Sequence, residues 1–218
     1  MFCNKNKISW DDFDGLRGCV KSFVKEKRYV HVIGVEEEAG KLAEIFECDA
    51  NLAKKLKSAA ILHDITKEFG RENQLEVCEK YKIKLSKSDM RVEKEWHAKT
   101  GAYIAKYEFG ADDVIFDAIY YHTLGKSKGF TLCDKIIYLA DYIEPNREYQ
   151  DCIDVREFFY SNLTKIENPQ SFEEKYKVLD DTVLFSLDKT IKSLIDDNLY
   201  IHKNTVKCRN SFIESMNL

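Results

Sequence analysis

Apolar residues recur at the spacing of an α-helix along most of the chain, which predicts an all-α protein. Ser9 followed by Asp12 is a capping signal for a first helix that we expect to run to about Lys27. The next predicted helix has an apolar face interrupted by one histidine, and this face consists of His31, Val35, Ala39, Leu42, Ala43 and Phe46. The helix after it repeats the pattern with Leu52, Leu56, Ala59, Ala60 and His63.

The same periodicity continues through the second half of the chain. A charged connection at residues 70–95 contains one short helix around the sequence QLEVCEKY. Three helices follow, and each carries a polar residue on or beside its apolar face: His97, His122 and Asp141. Residues 161–173 are predicted to form a polar loop. A long helix then presents an apolar face made of Val183, Leu187, Ile191 and Leu194.

These elements predict a single domain over residues 1–218 with about seven or eight helices. We expect its core at about 28–147, with a C-terminal helix and tail at about 174–218 packed on that core. The chain has nine glycines and two prolines among 218 residues. This scarcity favours long helices with short connections over a turn-rich β fold.

Composition and charge restrict the partners and the location of the protein. A formal net charge of −4 gives no general attraction to nucleic acid or to an anionic membrane. The first residues lack the apolar stretch of a signal peptide, and no apolar run approaches the ~18 residues of a membrane span. Seven scattered cysteines without a CxxC pair are typical of reduced thiols. We therefore expect a cytoplasmic protein that acts on neither nucleic acid nor membrane.

Four of the five histidines lie on the apolar faces of four different predicted helices. Two aspartates accompany them, Asp64 directly after His63 and Asp141 on a fifth helix. One core-facing histidine usually has only a structural hydrogen bond, and one aspartate is commonly a salt-bridge partner. Independent accidents would not favour the core side in four helices, however. Imidazole and carboxylate are ligands of zinc, manganese, iron and cobalt, so the pattern favours a metal centre.

Several short motifs carry a family resemblance over nearly the whole chain. They are RYVH at 28–31, ILHDITK at 61–67, HAKTGA at 97–102, YHTLG at 121–125, IIYLADYIEPNR at 136–147 and IHKNTVKCRN at 201–210. The order H…HD…H…H…D resembles the HD-domain metal-dependent phosphohydrolases, and the finer motifs resemble their YqeK branch. Members of this branch are symmetrical bis(5′-nucleosyl)-tetraphosphatases. The resemblance therefore implies hydrolysis of diadenosine tetraphosphate into two ADP, by a metal-activated water that attacks a central phosphate.

The resemblance also implies a ligand set for two metal ions. His31, His63, Asp64 and Asp141 would hold one ion, His97 and His122 would hold the second, and Asp64 would bridge the two. Two divalent or mixed-valence transition metal ions are expected. Iron is the metal that this branch most suggests, with manganese or cobalt as substitutes, because ligand type does not choose between them.

A polyphosphate also needs cationic side chains, and basic residues occur within the family motifs. Asp64 and Lys67 are expected to take part in the reaction. The residues expected to contact the substrate are Arg28, Lys67, His97, His122, Thr123, Arg147, Tyr200, Thr205 and Arg209. Glu144 is expected to hold Arg147 or Lys67 in place. The ordinary alternative for the basic residues is that each is a solvated surface charge. For Tyr200, the alternative is a core or surface tyrosine without a role in binding. His202 lies in a polar tail and is not expected to bind metal.

Two other functions are compatible with the same residues. The first is an HD-type phosphohydrolase that acts on another nucleoside phosphate or on an alarmone. The second is a helical binding or regulatory module without catalysis, in which the histidines satisfy one another. The oligomeric state stays open, with a homodimer as one option.

Overall fold

The computed structural model describes residues 7–168 and 171–216, and both ends of the predicted 1–218 domain lie outside these ranges. In the described residues the chain folds into ten α-helices, two 3₁₀ turns and no β-strand. The α-helices are α1 (Phe13–Lys21), α2 (Glu26–Ile45), α3 (Ala50–Leu62), α4 (Arg71–Lys80), α5 (Trp96–Phe109), α6 (Asp113–Tyr121), α7 (Leu132–Ile143), α8 (Gln150–Leu163), α9 (Phe172–Asp196) and α10 (Lys203–Met216). The 3₁₀ turns are Asp89–Arg91 and Glu93–Glu95. The all-α prediction is confirmed, with more helices than the seven or eight expected.

Local sequence signals define several helix ends. The Asp112 side chain caps α6 by accepting from the backbone N–H of Val114 and Ile115, and Thr131 with Asp134 forms a capping box at the start of α7. Gly110 ends α5 with a φ of 72°, a left-handed conformation that glycine adopts without steric cost.

The prediction that the first helix runs to about Lys27 is wrong, because α1 ends at Lys21 and the next helix begins at Glu26. Its cap is Asp12, whose side chain accepts from the backbone N–H of Gly15. The break has a tertiary cause. The ring of Phe23 packs against that of Phe69, and the backbone N–H of Lys25 donates to Glu68 at 2.7 Å. Contacts with residues 43 and 46 positions away in sequence therefore decide where α2 begins.

Two helices were not predicted. α8 lies mostly before the segment 161–173 that was expected to be a polar loop and ends within it at Leu163, and α10 occupies most of the expected polar tail. Each buries only a few side chains in the core: Cys152, Val155 and Phe159 in α8, and Cys208 and Phe212 in α10. So few buried positions give only a weak periodic signal in the sequence. The formation of these two helices therefore depends on packing against the other helices.

One hydrophobic cluster extends from Leu16 in α1 to Phe212 in α10. Within it, α2 packs on α3 and α7, and α6 packs on α3, α5 and α7. These five helices are the ones that carry the inward histidines and aspartates. Among the described residues, every helix is too short or too polar to span a lipid bilayer.

Candidate metal centre

The six predicted ligands come together where five neighbouring helices meet. His31 lies within α2, His63 is the C-cap of α3 with Asp64 next to it, His97 is in the first turn of α5, and His122 is the C-cap of α6. Asp141 lies in the last turn of α7. The four histidines and Asp64 are buried, and the Asp141 side chain is 15% exposed.

The first half of the cluster consists of His31, His63 and Asp141. The Nε2 atoms of His31 and His63 lie 3.3 Å apart, and Oδ1 of Asp141 lies 3.1 Å from Nε2 of His31 and 3.8 Å from that of His63. Three ligand atoms at such separations can all coordinate one cation.

The second half consists of His97 and His122, and Asp64 lies between the halves. The Nε2 atoms of His97 and His122 are 3.2 Å apart. Asp64 turns Oδ1 toward these two atoms, at 3.2 and 3.8 Å. Its Oδ2 faces the first half, at 3.6 Å from Nε2 of His31 and 3.4 Å from that of His63. One carboxylate therefore faces both halves with different oxygens.

Each histidine is oriented through its other ring nitrogen. Nδ1 of His63, His97 and His122 lies 2.6, 2.7 and 2.6 Å from the carbonyl oxygen three residues earlier. A carbonyl only accepts, so Nδ1 carries the proton and Nε2 keeps a lone pair. The two facing lone pairs of His97 and His122 repel each other unless a cation lies between them. This donor set fits a metal ion.

Burial and charge control the ionisation of the cluster. Burial, together with the nearby Lys67 ammonium, lowers the pKa of His97 to about 4, so its ring is neutral at pH 7. Burial also lowers the pKa of His63. Burial raises the pKa of the Asp64 carboxyl, but the facing imidazoles outweigh that effect and hold this pKa well below its usual range. Neutral imidazoles and ionised carboxylates are the forms that bind metals.

Three of the cationic side chains expected to bind the substrate contact the cluster. Arg28 donates to Oδ2 of Asp64 at 2.9 Å, and Arg147 donates to Oδ1 of Asp141 at 2.6 Å. Lys67 lies on the other side, with Nζ 3.2 Å from Nε2 of His97. Both halves of the cluster therefore have a neighbouring positive charge.

Glu144 has a different partner from the two expected. Its Oε1 lies 3.0 Å from Nδ1 of His31, and its Oε2 accepts from the backbone N–H of Asn146 at 2.7 Å. The side chain contacts neither Arg147 nor Lys67, because the turn after α7 directs it toward α2. Sequence reasoning could not have found this pairing, since it joins residues 113 apart.

Arg156 in the unpredicted helix α8 holds that turn. Its guanidinium donates to the carbonyl oxygens of Ile143, Glu144 and Arg147 at 2.6, 2.6 and 2.9 Å. One side chain therefore donates hydrogen bonds to three backbone carbonyls at the end of α7 and in the turn after it. No motif indicated this role for Arg156.

The remaining predicted substrate residues lie in the loop after α6 and in the C-terminal segment. The Thr123 hydroxyl is buried without a hydrogen-bond partner in the described part of the chain, and Thr205 is buried. The Tyr200 hydroxyl is 3.0 Å from the Ser88 hydroxyl, and the ring is half-exposed. Arg209 pairs with Asp188 of α9 at 2.8 Å, rather than with the cluster.

His202 is buried, contrary to the polar tail expected around it. Its Nδ1 accepts from the backbone N–H of Asn204, and its Nε2 lies 3.4 Å from Oδ1 of Asp89. The same aspartate forms a buried ion pair with Lys99 at 2.7 Å. These contacts attach the segment before α10 to the 3₁₀ turn and to α5.

The protein is all-helical, and five of its helices bring together histidines and aspartates in the order H…HD…H…H…D. This is the architecture of a metal-binding HD domain. The sequence matches the HD domain family over residues 28–146, and the chain belongs to this family. It is 41% identical over 148 residues to a Bacillus subtilis protein named bis(5′-nucleosyl)-tetraphosphatase, symmetrical, an alignment that covers 67% of this chain and 77% of the relative. A protein of the same name from Halalkalibacterium halodurans is 33% identical over 197 residues, which cover 89% of this chain and 93% of the relative.

A solved structure supports the same assignment. The crystal structure of a protein from Clostridium acetobutylicum, described as a predicted HD superfamily hydrolase involved in NAD metabolism, superimposes with a TM-score of 0.78. The two chains are 32% identical, and the match covers 93% of this chain and 97% of the other. The resemblance predicted from the motifs is therefore confirmed.

Proposed function

We propose that this protein is a metal-dependent hydrolase that cleaves diadenosine tetraphosphate symmetrically into two ADP. One observation carries the hydrolytic part of the proposal: four imidazole nitrogens and two carboxylates converge, with Asp64 directed to both halves. The substrate comes from the relatives, which align with most of this chain under that enzyme name.

We assign the cluster to two transition metal ions. His31, His63, Asp141 and Oδ2 of Asp64 would hold one ion, while His97, His122 and Oδ1 of Asp64 would hold the other. Such ions, when bound, supply Lewis acidity that lowers the pKa of water and polarises a phosphoryl group. We propose iron as the native metal, with manganese or cobalt as substitutes.

The cationic side chains fit a substrate with several phosphates in a row. Arg147 contacts Asp141, and Arg28 contacts the Asp64 oxygen that faces the same half. Lys67 contacts the half that contains His97. A polyphosphate across the cluster therefore meets positive charge on both sides of its central bridge. Guanidinium groups donate paired hydrogen bonds to phosphate oxygens, whereas Lys67 provides a compact charge.

In the reaction, water adds to one central phosphorus, and the bridging oxygen leaves with the second ADP. Lys67 donates a hydrogen bond to an oxygen of the attacked phosphoryl group, where negative charge must be neutralised. Arg147 holds the neighbouring phosphate in line. ADP is a stable leaving group, so it needs less protonation by the protein than an alkoxide does.

The loop after α6 and the C-terminal segment would bind the outer parts of the substrate. Thr123 has a hydroxyl to donate to a phosphate, the Tyr200 ring is accessible for stacking on adenine, and Thr205 and Arg209 lie in the same segment. Cys208 packs α10 against Gly125, where a Cβ atom would lie 2.9 Å from that of Cys208. The C-terminal segment thereby borders the loop that follows His122.

We further propose that the chain works as one domain in the cytoplasm, with a homodimer as the alternative to a monomer. The core cluster that includes both α2 and α10 supports one domain. Free cysteines at six described positions suit a reducing compartment.

The direct test is incubation of the metal-loaded protein with diadenosine tetraphosphate, followed by chromatography of the products. ADP as the sole product supports the proposal, and ATP with AMP contradicts symmetrical cleavage. In H₂¹⁸O, one label should enter one of the two ADP molecules at its terminal phosphate.

A parallel panel of nucleoside phosphates and alarmones tests the second substrate class. If the protein binds neither iron, manganese nor cobalt at these positions and hydrolyses none of the nucleotides, it is a binding module and not an enzyme.

A further inference from the structure

His31 differs from the other three histidines in how its ring can be oriented. His63 and His122 follow the ends of α3 and α6, so the last-turn carbonyls of Ala60 and Ile119 are available to their Nδ1 atoms. His97 uses the carbonyl of Lys94, in the 3₁₀ turn that precedes α5. His31 lies inside α2, where the carbonyls of the preceding turn bond within the helix. Its Nδ1 needs a partner from elsewhere in the chain.

Glu144 provides that partner. Its side chain is buried, with Oε1 3.0 Å from Nδ1 of His31. A carboxylate at Nδ1 favours the ring form that keeps its proton there, so that Nε2 faces Asp141 and His63. The backbone N–H of Asn146 and the side chain of Arg156 fix the turn that carries Glu144.

The approach of Glu144 to α2 depends on Gly34. This glycine lies one turn after His31, on the surface where the 144–146 turn contacts the helix. A Cβ atom at Gly34 would overlap Oε2 of Glu144 and would lie 2.7 Å from Nδ2 of Asn146. Gly40, on the same helix, has no atom within 4 Å of an added Cβ. The missing side chain at Gly34 therefore makes room for the carboxylate.

We propose that Glu144 is the positioning residue for His31 and that Gly34 is required for its placement, so that together they set the affinity of one of the two metal positions. The affected position is the one formed by His31, His63 and Asp141. The inference rests on the proposed metal centre, and it adds two residues that bind neither metal nor substrate themselves.

The test measures manganese binding by isothermal titration and by electron paramagnetic resonance of the loaded protein. The wild type should bind two ions and show the spectrum of a coupled pair. In Glu144→Ala and in Gly34→Ala, the affinity for one ion should fall by about 10–100-fold. The second ion should remain, with the spectrum of an isolated Mn²⁺.

Gly40→Ala is the matched control, because it makes the same change in the same helix without touching Glu144. It should bind both ions like the wild type. Circular dichroism and the melting temperature of each metal-free variant show whether the fold is retained. Wild-type affinity in Glu144→Ala overturns the inference, and wild-type affinity in Gly34→Ala alone overturns the requirement for Gly34. Loss of both ions together, or unfolding of either variant, also contradicts the proposed effect on one metal position. A wild type that binds no manganese, iron or cobalt contradicts the proposed metal centre itself.

Discussion

Oδ1 of Asp64 lies 3.2 Å from Nε2 of His97, while the other oxygen of the same carboxylate accepts a hydrogen bond from Arg28 on the opposite side. A single buried side chain thus connects the two halves of the cluster. Removal of this carboxylate should disturb both metal positions at once. For Asp64→Ala we expect turnover to fall by more than about 100-fold, with metal content reduced.

Circular dichroism should show that Asp64→Ala keeps its helices, because the residue lies after the end of α3. Asp113→Ala is a suitable control, since Asp113 is an exposed aspartate paired with Lys106 at the surface. Near wild-type turnover in Asp64→Ala would remove this residue from the mechanism.

Arg147→Lys should separate substrate binding from metal binding. The change keeps the charge but removes the planar guanidinium, so paired hydrogen bonds to phosphate are lost. A hydrogen bond to a charged group contributes about 1.5–3 kcal/mol, which corresponds to roughly a 10–100-fold fall in kcat/KM. Steady-state kinetics with metal analysis measures both effects.

Metal content should stay at the wild-type level in Arg147→Lys, since the guanidinium is a neighbour of Asp141 and not a ligand. Arg91→Lys, at an exposed position in the 3₁₀ turn, provides the control. Loss of metal with unchanged KM would instead assign Arg147 a purely structural role.

Removal of metal should lower the thermal stability of the protein. Each ion that binds the folded state alone stabilises it by about 2.7 kcal/mol when its free concentration is 100 times the dissociation constant. For a chain of this length, chelation should then lower Tm by roughly 5–11 °C for each ion that is removed. Differential scanning calorimetry before and after chelation, and again after manganese is restored, measures the change. Identical transitions in all three samples would argue against a specific metal centre.

The buried Asp89–Lys99 pair predicts a pH-dependent contribution to stability. Burial raises the pKa of the Asp89 carboxyl, but hydrogen bonds from Lys99 and Ser86 outweigh that effect and lower it. A lowered pKa in the folded state stabilises the protein above the unfolded value of about 3.9, and this contribution is lost as the pH falls through the folded value. Asp89→Asn should therefore cost about 3 kcal/mol at pH 7.

The difference in unfolding free energy between the wild type and Asp89→Asn should begin to shrink below about pH 4, where the unfolded wild type takes up a proton. It should vanish only below the lowered pKa of Asp89 in the folded state, where both chains carry a neutral group. Urea titrations from pH 7 down to pH 3.5 measure it. Asp117→Asn, which removes a more exposed partner of Lys126, is the control. A gap that stays constant with pH would show that packing, and not the charge of Asp89, stabilises this contact.

Most helices and all members of the His/Asp cluster could be predicted from the sequence, because the signals that reveal them lie within single helices and short motifs. Helical periodicity places a residue on a face without knowledge of what that face contacts. It therefore identified His31, His63, His97 and His122 as inward residues, and the motifs supplied Asp64 and Asp141. The cap of α6 at Asp112 and the end of α5 at Gly110 depend on local chemistry in the same way.

The errors concern features that depend on distant neighbours. The break after Lys21 follows from contacts with Glu68 and Phe69, and α8 and α10 bury too few residues for a strong periodic signal. The partner of Glu144 and the burial of His202 depend on how a turn and a terminal segment pack against other helices.

The amino-acid sequence by itself determined which residue types face inward and at what helical spacing, because those properties follow from the backbone geometry of single helices. Only the tertiary structure decided which nitrogen of each histidine faces the centre, which oxygen of Asp64 faces each half, and that Gly34 makes room for Glu144. These features are distances between segments far apart in the chain. They are fixed by the packing of one helix on another, which no local pattern contains.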